Sequence, residues 1–374
     1  MNLQSRIITA LADEIGPRPA TSTAEARAAA FVAAQMRQIG LEVGVQTFAA
    51  AAAPTIGLCA LAAAGALAAL LGWWLPWPSV ALTVLLLAMA MRELLGVPTL
   101  AALLRRRASQ NVIGTRAAER RARQRVVLLC HLDSPRVAST HWRSYGRWWL
   151  LAVPAGLAAL LAALVARALA PVAAPALALP ALLLAGSGLF MGRRELDSSW
   201  TAGAVDAAAV ATALSVTSEL PPADYTELWV VALGSGAAAG AGVQALLDTY
   251  PFPAQETWFI NLPWLGRGRL TAVAGEGLWR ERQPDPTLRQ VFNELNTNTA
   301  PLVEQPYRDE RLDSARLRAQ GYRAISLVGL HANGGAAGFR HASDSILALD
   351  KTQLETAQKI LERALVRLIK QEPA

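Results

Sequence analysis

Two long apolar blocks, Ile56 to about residue 104 and Trp148 to Gly192, interrupt a chain that otherwise alternates between strand-like and helix-like segments. Such blocks belong in lipid or, as the alternative, in the alanine-rich helical core of a soluble bundle. Ile56–Leu75 carries no charge and is long enough for a hydrocarbon core of ~30 Å. Trp73, Trp74 and Trp77, with Pro76 and Pro78, then make a turn of interfacial character. The span from Ser79 is less clean, because Arg92 and Glu93 interrupt it and Pro98 follows. Either Arg92 snorkels or the two charges pair inside a bundle. The second block divides near Pro171 into two further spans.

The chain therefore reads as two transmembrane hairpins inserted into a soluble domain. Four crossings leave all soluble pieces on one side. Arg105, Arg106 and Arg107 close the first block; Arg143 and Arg147 precede the second, and Arg193 and Arg194 follow it. The far turns carry almost no charge. By the positive-inside rule this is a multi-pass membrane protein with its soluble domain in the cytoplasm. The amphipathic start of the chain, with no signal-peptide apolar core, agrees. The expected division is 1–54, 105–147 and 193–374 for the soluble domain, with hairpins at 55–104 and 148–192.

An apolar fraction of 53% with 17% charged residues leans the same way. The formal charge of +7 comes mostly from arginine. Those arginines flank the apolar blocks, so the bilayer is the expected partner and nucleic acid is not. Cys59 and Cys130 form no CxxC motif, so neither a disulfide framework nor a thiolate zinc site is suggested.

The soluble pieces follow an α/β pattern. Ser22-Thr23-Ala24-Glu25 is a capping box opening a helix that Gly40 ends. Buried-strand runs occur at Arg125–Cys130, Glu227–Leu233, Glu256–Leu262 and Arg323–Val328, with one further strand, at a sheet edge, near Gly268–Ala274. Helices are predicted from Ala202–Asp206 to about Glu219, near Pro286–Leu295, and from Lys351 to about Lys370. At the end of the first buried strand stand His131 and, two residues on, Asp133. A neutral imidazole is a good zinc ligand and a nearby carboxylate orients it; the alternative is a structural histidine. Asp206, at a helix start, is either a ligand or a helix cap.

In order along the chain, several segments resemble the zinc exopeptidases of metallopeptidase family twenty-eight, which include aminopeptidases and glutamate carboxypeptidase-like enzymes. Ile15-Gly16-Pro17-Arg18-Pro19-Ala20 is similar to that family's opening. Asn111–Gly114, a strand, and then His131-Leu132-Asp133-Ser134 resemble its first metal motif. Ala202-Gly203-Ala204-Val205-Asp206 resembles the segment whose aspartate bridges two zinc ions. Asp313, eight residues before Gly321, with Ala324–Leu327 resembles its late strand entry, and His341-Ala342-Ser343-Asp344 its closing segment. The resemblance covers essentially all of the chain outside the apolar blocks. It implies a three-layer α/β fold, of the phosphorylase/hydrolase-like kind, with a mixed, mostly parallel sheet. It also implies a zinc cofactor and peptide substrates, with His131, Asp206 and His341 as metal ligands and Asp133 as the supporting acid.

The family's chemistry also needs a glutamate as general base, a glutamate ligand and an aspartate ligand. Aligning Gly242 with the family's helix-start glycine puts the Glu-Glu pair at Gly236 and Ala237, and no carboxylate occurs from Gly234 to Leu247. Pro263 stands where the aspartate ligand is expected. His341 lies three residues before Asp344, where the family spaces it four; Arg340 takes the expected place. Glu256 and Glu276 are the nearest downstream glutamates and are out of register. The expectation is a catalytically impaired relative in which zinc is weak or absent and which binds a peptide or protein partner. The alternative is an active zinc exopeptidase with a rearranged site on His131, Asp206 and His341.

Overall fold

The structure is a computed structural model that describes residues 2–51, 55–94, 100, 106–138, 140–196, 199–277, 281–298, 300–309 and 312–370. In chain order, α1 (Leu3–Thr9) continues as a π-helical turn to Ile15, and α2 (Thr23–Gln38) leads to β1 (Glu42–Ala51). Two apolar helices follow, α3 (Ile56–Leu71) and α4 (Pro76–Leu94). Then come β2 (Arg106–Arg116), β3 (Gln124–His131), α5 (Thr140–Leu169) and α6 (Ala178–Leu196). The rest is α7 (Ala204–Glu219), β4 (Thr226–Leu233), α8 (Gly236–Ala239), α9 (Ala241–Thr249), β5 (Thr257–Leu262) and β6 (Arg269–Glu276). After these lie α10 (Pro286–Glu294), β7 (Val303–Tyr307), α11 (Asp313–Ala319), β8 (Arg323–Leu330) and α12 (Lys351–Lys370).

These elements form two compact units, one of residues 1–50, 108–138 and 199–374 and one of residues 51–107 and 139–198. The first is built on an eight-stranded sheet of order β1-β2-β4-β3-β5-β8-β6-β7. Its centre, β4-β3-β5-β8, is parallel, and β2 and β6 join it antiparallel. The central strands are continuous apolar runs because helices cover both faces, so neither face alternates towards water. The alanine-rich α7 is buried from Ala204 to Thr217. Alanine makes this possible: a helix without bulky side chains can lie between the sheet and its neighbours α1 and α12 while hydrophobic on every side.

The strand at 269–276 is not at an edge. It pairs with β8 on one side, and on the other with β7, a five-residue strand containing Pro306 that no apolar run announces. A short edge strand with a proline is one that cannot readily accept a further neighbour.

In the second unit, α3 ends at Leu71, so the first apolar helix has 16 residues rather than reaching Leu75. The chain turns through Gly72–Trp74, and Pro76 opens α4 in the position where its missing N–H costs nothing. Sixteen residues span ~24 Å. Pro154 lies within α5, which starts at Thr140, ahead of the apolar block itself. Among the described residues, Leu151–Leu169 and Ala174–Arg193 are long and apolar enough to cross a membrane; Ile56–Leu71 is apolar but shorter. Pro98 and Arg105 lie outside the described residues, as do the side chains of Arg143, Arg147 and Arg194.

Candidate functional site

Strand register brings the expected site together. His131 at the end of β3 lies beside Leu233 of β4, and Cys130 beside Leu262 of β5. The residues following each strand, Asp133, Gly234–Gly240 and Pro263, therefore meet at the carboxyl edge of the parallel sheet, where α/β folds hold their ligands.

The His131 ring is buried, with Nε2 2.8 Å from Asp313 Oδ2 and Nδ1 3.9 Å from Asp206 Oδ1. Burial alone would lower its pKa. The hydrogen bond and charge of Asp313, helped by Asp133 and Asp206, outweigh that and hold it above the ordinary value. Asp133, expected behind His131, instead accepts the backbone N–H groups of Gly236 at 2.8 Å and Ala237 at 3.0 Å. The sequence signal for Asp313 was its spacing from Gly321; nothing local tied it to His131.

Asp206 sits in the first turn of α7, fully buried, yet neither of its oxygens accepts a hydrogen bond among the described residues. It is not the helix cap. That role belongs to Asp344, which accepts the N–H groups of Ala204 and Val205. Burial, with the charge of Asp344, pushes the Asp206 carboxyl well above the usual carboxylate range, against His131 and Arg18.

Arg18 is fully buried beneath these acids. It donates to the carbonyls of Leu132, Gly16, Ala202 and Gly203 at 2.9–3.0 Å, and to that of Leu11. Burial lowers its pKa, opposed by Asp206, Asp344 and Asp133. Glu25 is buried as well. It accepts Ser235 N–H at 2.8 Å, Thr21 N–H at 2.7 Å and the Ser109 hydroxyl. Burial, then the charge of Asp133, pushes it up to about 7. Sequence reading placed Arg18 only within a segment similar to the family's opening, and Glu25 only in a capping box.

The positions expected to carry the base and two ligands are filled differently. Gly236 packs on the imidazole: a Cβ there would lie 2.6 Å from His131 Cδ2. Ala237 belongs to an apolar cluster with Val205, Trp264, Tyr307 and Phe339. After Pro263, the Trp264 ring stacks on Phe339 at 4.4 Å, and its Nε1–H donates to Gly329 O at 3.0 Å. Arg340, held at φ 58°, donates to the Ala237 carbonyl at 3.2 Å. His341 Nδ1 faces the Ser343 hydroxyl at 2.7 Å. Glu276 is buried against Arg318 and the Ser314 hydroxyl. Two surface cavities, of about 450 and 550 Å³, share Gln283, Pro284 and Pro286; no residue of the His131 cluster lines either.

A two-zinc site does not fit these residues. Nε2 of His131 is engaged by Asp313, and glycine, alanine and proline at 236, 237 and 263 offer no donor. Among the described residues, no three His, Cys, Asp or Glu side chains are grouped to hold a metal ion.

The fold is nonetheless that of zinc aminopeptidases and their structural kin. The zinc aminopeptidase of Bacillus subtilis superposes with a TM-score of 0.59 at 14% identity, over 99% of this chain and 95% of the other. The aminopeptidase of Aneurinibacillus sp. strain AM-1 gives 0.59 at 14%, over 98% and 93%. A glutaminyl cyclase of Bacteroides thetaiotaomicron gives 0.54 at 11%, over 99% and 97%. No family model matches the sequence, and no curated protein matches it.

Proposed function

We propose that this chain is a membrane-embedded, catalytically silent relative of the zinc aminopeptidases that works by binding a peptide or protein partner. The observation that carries this reading is the content of positions 236, 237 and 263. Glycine, alanine and proline there can neither bind zinc nor take a proton. Loss of the general base alone costs about 2–4 orders of magnitude in rate. Ala237 is packed by Trp264 and Phe339, so apolar side chains stand where the base and its neighbouring ligand are expected. The scaffold beneath it is intact, which is what a binding role requires.

The membrane part of the reading is two hairpins with four crossings and the soluble domain in the cytoplasm. It is supported by the two candidate spans and by the exposed Leu67, Leu70, Trp74, Leu182 and Leu189 of the second unit. Resistance of the chain to alkaline extraction from membranes tests this part; release into the supernatant rejects it.

Metal analysis of the purified full-length protein, with an aminoacyl-anilide assay, tests the catalytic part. The expected result is less than stoichiometric zinc and no hydrolysis. Two tightly held zinc ions per chain, with chelator-sensitive cleavage abolished by His131→Ala, would replace it with the reading of an active exopeptidase on a rearranged site.

A further inference from the structure

We propose that the His131–Asp313 pair has taken over the cross-linking role of a metal at the carboxyl edge of the sheet. The inference rests on the reading that this chain holds no zinc there.

His131 ends β3 at the centre of the sheet, and Asp313 opens α11, which packs on β5 and β8. A buried hydrogen bond between segments so far apart in the chain ties together elements that share no backbone hydrogen bonds, as a structural metal does. Both nitrogens of the buried imidazole face buried carboxyl groups. Asp313 lies 2.8 Å from one ring nitrogen and Asp206 3.9 Å from the other.

The space for this link comes from two glycines. A Cβ at Gly236 would meet His131 Cδ2 at 2.6 Å, and a Cβ at Gly240 would meet Asp313 Oδ1 at 3.0 Å and Arg316 Nε at 2.8 Å. The ring can lie where it does because residue 236 has no side chain. A side chain at 236 and the His131 ring in this position are therefore alternatives, so an acid placed at 236 would have to displace the ring.

The test uses full-length protein in detergent, with its zinc content measured first. The Tm is followed for the wild type, His131→Ala, Asp313→Ala, their double variant and Gly236→Ala. For the wild type, EDTA and added zinc are expected to leave the Tm unchanged. Each single substitution of the pair lowers it, the double variant lowers it no further than the worse single, and Gly236→Ala lowers it by pressing on the ring. Additive losses in zinc-free protein, or a neutral Gly236→Ala, overturn the cross-link while leaving the catalytically silent reading in place. A wild-type Tm that rises with zinc overturns the cross-link without any variant. Zinc found in the protein as purified removes the reading on which it rests.

Discussion

Asp344 caps a helix that begins 140 residues before it: its carboxylate accepts the N–H groups of Ala204 and Val205, each at 3.1 Å. The helix needs an outside cap because Gly203, at its start with φ 66°, has no side chain to offer. Asp344→Ala is expected to lower stability by about 1–2 kcal/mol, read as a lower denaturation midpoint in detergent. Asp344→Asn keeps one amide oxygen and should lose less. Equal midpoints for wild type and Asp344→Ala would show that the helix start is satisfied elsewhere.

Glu25 gives the fold a pH dependence of definite sign. Its carboxyl is raised from an ordinary 4.5 to about 7, by burial and then by the charge of Asp133. Below about pH 4.5 the group is protonated in both folded and unfolded chains. Between there and about 7 the unfolded chain gives up the proton and the folded one keeps it, so stability falls as pH rises through this window and is flat above it. The change is on the order of 3 kcal/mol at most, from ~1.4 kcal/mol per pH unit. Unfolding midpoints of wild type and Glu25→Gln, compared at pH 5 and 7.5, check it: the variant should lose this part of the slope. The other buried acids keep theirs.

The centre of the sheet was legible because its strands are uninterrupted apolar runs. The ends of α7 at Glu219 and of α12 at Lys370 were legible from helical composition and spacing. The site was legible only as a set of positions. Gly236, Ala237 and Pro263 were singled out by counting from the family's motifs, and of these Gly236 packs against the His131 ring. The contacts made by the residues around His131 were not legible, because they are long-range pairings. Asp313 reaches His131 across 182 residues. Arg18 is buried because carbonyls from three separate segments converge on it. No local period encodes such contacts. Pro306 hid β7 for the opposite reason: a short edge strand does not need an apolar run.

An acid introduced at position 237 is expected to destabilise the protein without adding hydrolytic activity. Ala237 is buried among Val205, Trp264 and Phe339, so Ala237→Glu forces a carboxylate into apolar packing. A loss of about 2–5 kcal/mol is expected, with no aminoacyl hydrolysis even after Pro263→Asp and added zinc. Chemical denaturation and the anilide assay read the two parts separately. Measurable, zinc-dependent turnover in the paired variant would show that the edge of the sheet can still assemble a metal site.

The helices of the second unit offer a sharper contrast between two apolar positions. Gly65 on α3 faces α5 and α6 so closely that a Cβ would stand 2.7 Å from Leu157 Cδ2 and 2.9 Å from Leu184 Cδ1. Small residues at such contacts let helix backbones approach, which is how membrane helices gain packing when lipid offers no hydrophobic driving force. Leu182, on α6, is 70% exposed and has little protein to lose. Gly65→Val is therefore expected to cost about 1–3 kcal/mol by overpacking, and Leu182→Ala no more than about 0.5 kcal/mol. Thermal aggregation of the detergent-extracted protein ranks the two. If Leu182→Ala is the more damaging, that face of α6 is covered by protein rather than by lipid.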